Sequence, residues 1–183
     1  MIEIEVKVRV REPERIKNCL DLLGYEFLKK EHQEDTYFKS SFRSFKETRE
    51  ILRVRKQIPG SDVVTFKRPK LRSEIKAREE IEVNIDNSSE VIKLLTALGY
   101  EPWITVEKER EIYRFDKFTI SLDKVKDLGH FMEIEAKIEE TQSKLEVEQE
   151  IFNLLNRIGI SKNLIAGRSY FELILEKHKN ASM

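Results

Sequence analysis

The stretch Ile2-Glu3-Ile4-Glu5-Val6-Lys7-Val8-Arg9-Val10 carries the clearest structural pattern in the sequence. Over these nine residues, apolar side chains occupy every even position and charged side chains every odd position. A period of two places successive side chains on opposite faces, which is the pattern of a β-strand with one apolar and one polar face. The stretch therefore predicts a strand whose second face is entirely charged.

The same alternation recurs in five later segments. Their apolar positions lie within 52–54, 64–66, 81–85, 118–122 and 132–138. Two further strands are expected near 35–38 and over about 104–115, where charges fall on both faces. About eight strands are thus predicted, and one polar face per strand is typical of an antiparallel sheet.

The polar faces carry pairs of one charge type. Glu-x-Glu occurs at Glu3/Glu5, Glu80/Glu82 and Glu133/Glu135, Arg-x-Arg at Arg53/Arg55, and a mixed basic pair at Lys108/Arg110. Two carboxylates ~4 Å apart repel by ~4 kcal/mol at an effective dielectric constant of ~20. Such pairs must either lie in water or be neutralised by nearby cations. In functional sites, divalent metal ions usually neutralise paired carboxylates.

Three E-I-E segments each lead into an amphipathic helix that ends at a glycine, Gly24, Gly99 or Gly159. Pro13, Ser88 or Ser89, and Thr141 are the expected helix starts. The apolar stripes are Ile16, Leu20 and Leu23; Val91, Leu94, Leu95 and Leu98; and Ile151, Leu154, Leu155 and Ile158. These helices are expected to cover the apolar faces of the E-I-E strands, which turns the Glu pairs toward the interior of a curling sheet. A last helix is predicted over about 168–179.

The composition suits one domain, 1–183, built from two halves at about 1–86 and 87–183. The 183 residues include 34 Lys+Arg and 34 Asp+Glu, so the formal net charge is zero. Without a basic excess, general binding to nucleic acid or to an acidic membrane is not expected. No apolar run approaches the ~20 residues of a membrane span, and the first residues lack a signal-peptide apolar region. We therefore expect a cytoplasmic protein.

The motifs that the sequence lacks limit the ways in which this protein could bind a phosphate group or a metal ion. The sequence has no glycine-rich phosphate loop, one cysteine (Cys19), and three histidines (His32, His130 and His178) without metal-ligand spacing. A phosphate group would therefore have to be held by side chains. Carboxylates suit hard cations such as Mg²⁺ or Mn²⁺, and arginine and lysine suit phosphate oxygens. An interior that holds both sets fits a polyanion with bound metal, such as a nucleoside triphosphate.

The sequence Glu3-x-Glu5-x-Lys7 resembles the E-x-E-x-K signature of the CYTH domain family, also called triphosphate tunnel metalloenzymes. Further segments resemble the family in the same order over about residues 1–175. They are 52–55, 65–67, 80–82, 107–110, Asp123, 129–135 and Ser169-Tyr170. The segment Gln33-Glu34-Asp35-Thr36-Tyr37-Phe38 is most similar to the class IV adenylyl cyclase branch.

This resemblance implies an α+β fold, in which an eight-stranded antiparallel β-barrel encloses a tunnel and the helices pack outside. It implies Mg²⁺ or Mn²⁺ on Glu3, Glu5, Glu133 and Glu135, with Asp123 assisting and Glu80 and Glu82 binding a second metal or orienting cations. The implied triphosphate ligands are Lys7, Arg53, Arg55, Lys67, Lys108 and Arg110, and the catalytic role falls to Lys7, Glu5 and Glu135. A homodimer is also implied.

The family does not share one reaction, so the activity stays open between two outcomes. In a class IV cyclase, the ribose 3′-hydroxyl of ATP attacks the α-phosphorus and releases pyrophosphate. In a triphosphatase, water attacks the terminal phosphorus of thiamine triphosphate, inorganic triphosphate or a nucleotide. Two other readings are a non-catalytic module that binds triphosphate or polyphosphate, and an ordinary sheet with solvated charges.

Overall fold

A computed structural model describes residues 2–68, 80–139 and 143–181 of the chain. The described strands are β1 (Ile2–Val10), β2 (Glu26–Ser40), β3 (Ile51–Ile58), β4 (Asp62–Lys67), β5 (Glu80–Ile85), β6 (Tyr100–Phe115), β7 (Phe118–Val125) and β8 (Gly129–Ile138). The described helices are α1 (Pro13–Leu22), α2 (Phe45–Thr48), α3 (Ser88–Ala97), α4 (Lys144–Arg157) and α5 (Tyr170–Ala181). None of these helices is long and apolar enough to cross a membrane.

The eight strands form one antiparallel sheet in the order β1-β8-β7-β6-β2-β3-β4-β5. Backbone pairing does not join β1 to β5 in the described part of the chain. The sheet nevertheless curls on itself, since Glu5 of β1 and Glu82 of β5 line the same cavity. The predicted eight-stranded antiparallel tunnel with outer helices is thus confirmed, although among the described residues β1 and β5 form no ladder.

The main core lies between the outer face of β1, β7 and β8 and the helices α1 and α4. Ile4 and Val8 of β1 are buried there, as are Leu20 of α1 and Ile151 and Leu155 of α4. Each such side chain stabilises the fold by about 1.5–3 kcal/mol through burial. The first and third apolar stripes therefore face the core, as the helical spacing predicts.

The prediction for the middle helix, α3, is wrong in its orientation. Leu94 and Leu98 stay 58% and 59% exposed, whereas Val91, Ile92 and Leu95 pack toward the cluster that contains Leu52 and Val54. The reason is that α3 lies over β3 and β6 and not over β5. Consequently Ile81 and Val83 of the second E-I-E strand remain 48% and 54% exposed, and no helix of the described residues covers them. The third apolar residue of this strand, Ile85, packs against the cluster.

The helix ends agree with the expected glycines. Gly24, Gly99 and Gly159 adopt φ values of +80°, +88° and +71°, a region that only glycine enters without strain. Pro13 is the first residue of α1, as predicted. The N-caps differ: the side chain of Asn87, not Ser88 or Ser89, caps α3, and Ser143 caps α4, while Thr141 lies outside the described residues.

Strand β2 is far longer than the predicted segment near residues 35–38. The sequence of β2 shows little apolar–polar alternation, because polar side chains occupy both faces of the strand. Glu31, Gln33 and Asp35 are buried on the inner face, and Lys30 is exposed on the outer face. This strand pairs with β6 along its length and carries the inner-face side chains that complete the cavity wall.

Candidate functional site

The curled sheet encloses a cavity of about 250 Å³ whose wall is almost entirely ionic. Of the 17 lining residues within the described part of the chain, six are carboxylates and seven are cations. The lining residues are Glu5, Lys7, Asp35, Tyr37, Ile51, Arg53, Arg55, Lys67, Glu80, Glu82, Lys108, Arg110, Glu133, Glu135, Lys137, Ser169 and Tyr170. This wall is suited to a ligand that is itself highly charged.

The structure brings nearly all of the predicted site residues to this wall. The six cations expected to bind phosphate line it, as do Glu5, Glu80, Glu82, Glu133 and Glu135. Asp123 is fully buried directly behind the wall and is bonded to Arg110. The backbone of Glu3 lies in β1, but its side chain lies outside what the structure describes.

Strand register pairs four of the cavity cations with carboxylates. The directly opposite pairs are Lys7 with Glu133, Arg55 with Asp35, Lys67 with Glu80, and Arg110 with Asp123. Opposite charges at such positions stabilise a sheet, whereas like charges destabilise it. The interior is therefore close to neutral before any ligand binds, and an incoming polyanion must draw these cations away from the protein's own carboxylates.

The pair between Arg55 and Asp35 is bidentate. Nε and Nη2 of Arg55 donate to the two carboxylate oxygens of Asp35 at 2.6 and 2.8 Å, and Nη1 of Arg53 lies 3.6 Å away. Burial alone would raise the pKa of Asp35, but Arg55 and Arg53 outweigh it and hold that pKa well below its usual range. Asp35 is therefore ionised, and it fixes the two arginines at one end of the cavity.

Arg110 lies at the centre of a second network. It donates to both oxygens of Asp123 at 2.7 and 2.6 Å and also bonds to Glu133. Nζ of Lys7 approaches Glu133 to 2.9 Å and Glu5 to 3.7 Å. Burial raises the pKa of Glu133, but Arg110 and Lys7 together lower it well below its ordinary value. Glu133 is thus a carboxylate shared between two cations.

The pKa values of the two buried lysines of the wall shift in opposite directions. Burial lowers the pKa of Lys7, but Glu133 and Glu5 more than compensate and raise it above its ordinary value. For Lys108, burial and the neighbouring Arg110 lower the pKa to about 8, against the opposing effect of Asp123. Lys108 therefore carries a positive charge that is easily lost, and an anionic ligand beside it would restore that charge.

Glu5 and Glu135 break the rule of opposite charges. They stand directly across from one another on β1 and β8, and both line the cavity. Burial raises the pKa of Glu135, and Glu5 raises it further although Lys137 opposes the effect. A like-charged pair at a directly opposite position is unfavourable unless a cation lies between or beside the two carboxylates.

This carboxylate pair fits a hard divalent cation. In proteins Mg²⁺ usually takes one or two carboxylates and completes its octahedral shell with water and substrate phosphate oxygens. Within the described part of the chain, no three acidic, histidine or cysteine side chains are already gathered around one point. The fit therefore depends on Glu5, Glu135 and the adjacent Glu133, with the ligand supplying the remaining oxygens.

Several cavity residues were not among the predicted site residues. The weak strand pattern of β2 does not identify Asp35 and Tyr37, although both lie in the segment that resembles class IV cyclases. Tyr170, from a helix outside the sheet, lies within the family-like pair Ser169-Tyr170. Parity along β2, counted from Asp35, would have placed Asp35 and Tyr37 on the same face.

Comparison with known proteins agrees with this geometry. The family model described as the CYTH domain matches residues 1–170. A Methanocaldococcus jannaschii protein named "Putative adenylate cyclase" is 39% identical over 173 residues, which is 94% of this chain and 98% of that protein. The Aeromonas hydrophila protein named adenylate cyclase CyaB is 26% identical over 92% of this chain and 86% of its own length.

Solved structures show the same fold. A Pyrococcus horikoshii OT3 protein superposes with a TM-score of 0.83 at 34% identity, over 96% of this chain and 99% of that one. A Hippeastrum protein, described as having a dominant triphosphatase activity, superposes with a TM-score of 0.73 at 21% identity, over 97% of this chain and 96% of its own. The second likeness concerns the fold alone.

Proposed function

This chain belongs to the CYTH domain family, and on that premise we propose that it is a divalent-metal-dependent enzyme acting on a triphosphate inside the cavity. The observation that carries the proposal is the cavity wall, where seven cations and six carboxylates of the described residues face one space. A triphosphate brings about four negative charges, and the reactions of such groups depend on positioning and charge neutralisation more than on covalent catalysis.

In this proposal the cations bind different parts of the triphosphate, because they approach the cavity from different strands. Arg53 and Arg55 on β3 and Lys108 and Arg110 on β6 approach the cavity from neighbouring sides of β2, and Lys67 and Lys7 approach from β4 and β1. Arginine offers two parallel donors to a phosphate and lysine a single charged one. Together they would hold the phosphates in a line along the tunnel.

Glu5, Glu133 and Glu135 are the residues that would hold Mg²⁺ or Mn²⁺, and Glu3 and Asp123 remain predictions as further ligands. When bound, the ion would offset charge on the phosphate oxygens and polarise them. Lys7 contacts both Glu133 and Glu5, and it also lines the cavity in which the phosphates would bind. It therefore lies between the carboxylate group and the proposed phosphate site. We assign the catalytic role to Lys7, Glu5 and Glu135 on this basis.

For the reaction we propose a class IV adenylyl cyclase-like activity that converts ATP to cyclic AMP and pyrophosphate. Support comes from the names of the two curated relatives, which match this chain over more than nine-tenths of its length. The ribose 3′-oxygen would attack the α-phosphorus and lose its proton to solvent, and the bond from the α-phosphorus to the oxygen bridging to the β-phosphate would break and release pyrophosphate.

A specific observation favours hydrolysis as the second candidate. Apolar or aromatic surface is scarce in the cavity: of the 17 described lining residues, three supply it, namely Tyr37, Ile51 and Tyr170. A nucleobase usually needs such surface for stacking, whereas inorganic or thiamine triphosphate could be bound largely through its phosphates. Water would then replace the ribose hydroxyl as the attacking group.

One product analysis separates these outcomes. Purified protein is incubated with ATP, and separately with inorganic triphosphate, in the presence of Mg²⁺ or Mn²⁺, and the products are resolved by chromatography. Cyclic AMP with pyrophosphate supports cyclisation, and orthophosphate release supports hydrolysis. Metal-dependent triphosphate binding without any turnover would reject an enzyme and favour a binding module.

A further inference from the structure

Tyr170 enters the cavity from outside the sheet. It is the first residue of α5, it is only 4% exposed, and it lines the cavity formed by the strands. Part of its ring packs against Phe131 in a buried apolar cluster, with the two ring centroids 5.1 Å apart. The same ring also faces the charged interior, so its contacts bear on the site.

The ring of Tyr170 lies against two of the site lysines. Nζ of Lys7 is 3.9 Å from the ring centroid, and Nζ of Lys108 is 5.0 Å from it. An ammonium group over an aromatic face is attracted by the ring, and the attraction is greatest where water is excluded, as around these two buried lysines. Lysine has four rotatable side-chain bonds, so the shared ring also restricts where both charges can point.

The hydroxyl of Tyr170 reaches a third site residue. It donates to Oδ2 of Asp123 at 2.7 Å, beside the two bonds that Asp123 accepts from Arg110. Burial, together with Glu133 and Asp123, raises the pKa of Tyr170 well above its usual value, so the hydroxyl keeps its proton as a donor. Oδ2 of Asp123 thus accepts both from Arg110 and from the Tyr170 hydroxyl, which links Tyr170 to the position of Arg110.

We infer that Tyr170 is a positioning residue for the triphosphate site, its ring fixing Lys7 and Lys108 and its hydroxyl fixing Asp123 and, through it, Arg110. This inference rests on the proposed function, because it takes these cations to be triphosphate ligands. It also makes the site dependent on α5: the cations reach their places only when this helix is packed against the sheet.

The packing of α5 has a natural optical probe. Trp103 is the one tryptophan in the sequence, and its ring centroid lies 5.1 Å from that of Phe171, the neighbour of Tyr170 on α5. Phe171 also contacts Tyr37 of the cavity wall at 4.9 Å. Tryptophan emission therefore reports whether α5 is in place, independently of any activity.

The test compares Tyr170→Phe and Tyr170→Met with matched changes at Tyr113. Tyr113 is a buried tyrosine of the main core whose hydroxyl donates to Glu111 at 3.3 Å, away from the cavity. Binding of inorganic triphosphate with Mg²⁺ to the full chain is measured by titration calorimetry, and kcat and KM by product release. Methionine keeps an adaptable apolar side chain in place without a ring.

We expect Tyr170→Met to weaken triphosphate binding by at least about 20-fold, since both lysines lose the ring that orients them. Tyr170→Phe keeps the ring and loses only the hydroxyl bond, so about a fivefold loss is expected. Both variants should raise KM more than they lower kcat and should keep the tryptophan emission of the parent. The Tyr113 variants should lower thermal stability and leave affinity unchanged.

Two results would overturn the inference. One is a Tyr170→Met protein with native tryptophan emission that binds triphosphate as the parent does. The other, decisive if the methionine variant does not fold, is equal affinity of the parent and Tyr170→Phe. If the parent itself binds no triphosphate, the proposed function fails first, and that outcome is distinct from a loss caused by the variants.

Discussion

Replacing Asp35 by asparagine tests whether the protein's own carboxylates hold the cations that await a polyanion. Asp35 is 1% exposed and makes two bonds to Arg55, with Arg53 close by. Asparagine has nearly the same shape but carries no charge, and it offers one oxygen in place of two. The substitution therefore leaves two buried guanidinium groups beside an uncharged neighbour.

The expected loss of stability follows from the burial of this pair. Removing one partner of a buried ion pair costs about 3–5 kcal/mol. Arg55 keeps 15% of its side-chain surface exposed, and asparagine keeps one acceptor, so we expect about 2–3 kcal/mol. A chain of this size loses roughly 2–4 °C of melting temperature per kcal/mol, which gives a fall of about 4–12 °C.

The informative measurement is the same melting experiment with inorganic triphosphate and Mg²⁺. Without Asp35, the triphosphate no longer competes with a carboxylate for Arg55, so the ligand should raise the melting temperature of the variant more than that of the parent. Asp62→Asn is the matched control, because Asp62 accepts from the backbone N–H groups of Gln57 and Ser88 outside the cavity. It should be destabilised without any added response to triphosphate.

An unchanged melting temperature for Asp35→Asn would refute the claim that the pair is buried and structural. An equal ligand-induced rise in parent and variant would refute the claim that triphosphate and Asp35 compete for the same arginine.

Three further predictions concern activity and ligand affinity. Lys7→Ala or Glu5→Ala should lower kcat/KM at least about 100-fold with circular dichroism unchanged. The control variant Lys93→Ala, on the exposed surface of α3, should retain activity. An unfolded Lys7→Ala protein would instead show that Lys7 has a structural role. Chelation should abolish turnover and added Mg²⁺ or Mn²⁺ should restore it, so activity that persists in EDTA contradicts metal binding by Glu5 and Glu135. Because the pKa of Lys108 is lowered to about 8, its charge is present below that pH and lost above it. Triphosphate affinity measured by calorimetry should then fall above about pH 8 by up to tenfold per pH unit, and Lys108→Arg should remove that fall.

Local sequence pattern was sufficient wherever one face of an element is apolar. Strand β1 spans the predicted residues Ile2–Val10, and the buried stripes of α1 and α4 match the helical spacing. The same parity correctly placed Arg53, Arg55 and Lys67 on one inner face. These features depend on side-chain periodicity, which the order of residues alone specifies.

Apolar–polar alternation does not predict the structure where both faces of an element are polar, or where the orientation of an element depends on the element it packs against. Strand β2 carries charge on both faces, so neither its length nor the role of Asp35 could be predicted from alternation. The orientation of α3 was predicted wrongly because its spacing allows either Leu94 or Ile92 in the core, and packing against β3 and β6 decided between them.

The order of residues is enough to specify charged strand faces, to say which residues occupy them, and to show their resemblance to those of the CYTH family. The cross-strand partners depend on the fold, which places Lys7 opposite Glu133, Arg55 opposite Asp35, Arg110 opposite Asp123, and Glu5 opposite Glu135. The physical reason is that these partners lie far apart in the chain, and their pairing is set by strand order and register. Four of the described cavity cations thus face carboxylates across neighbouring strands, whereas the Glu5–Glu135 pair favours an added cation.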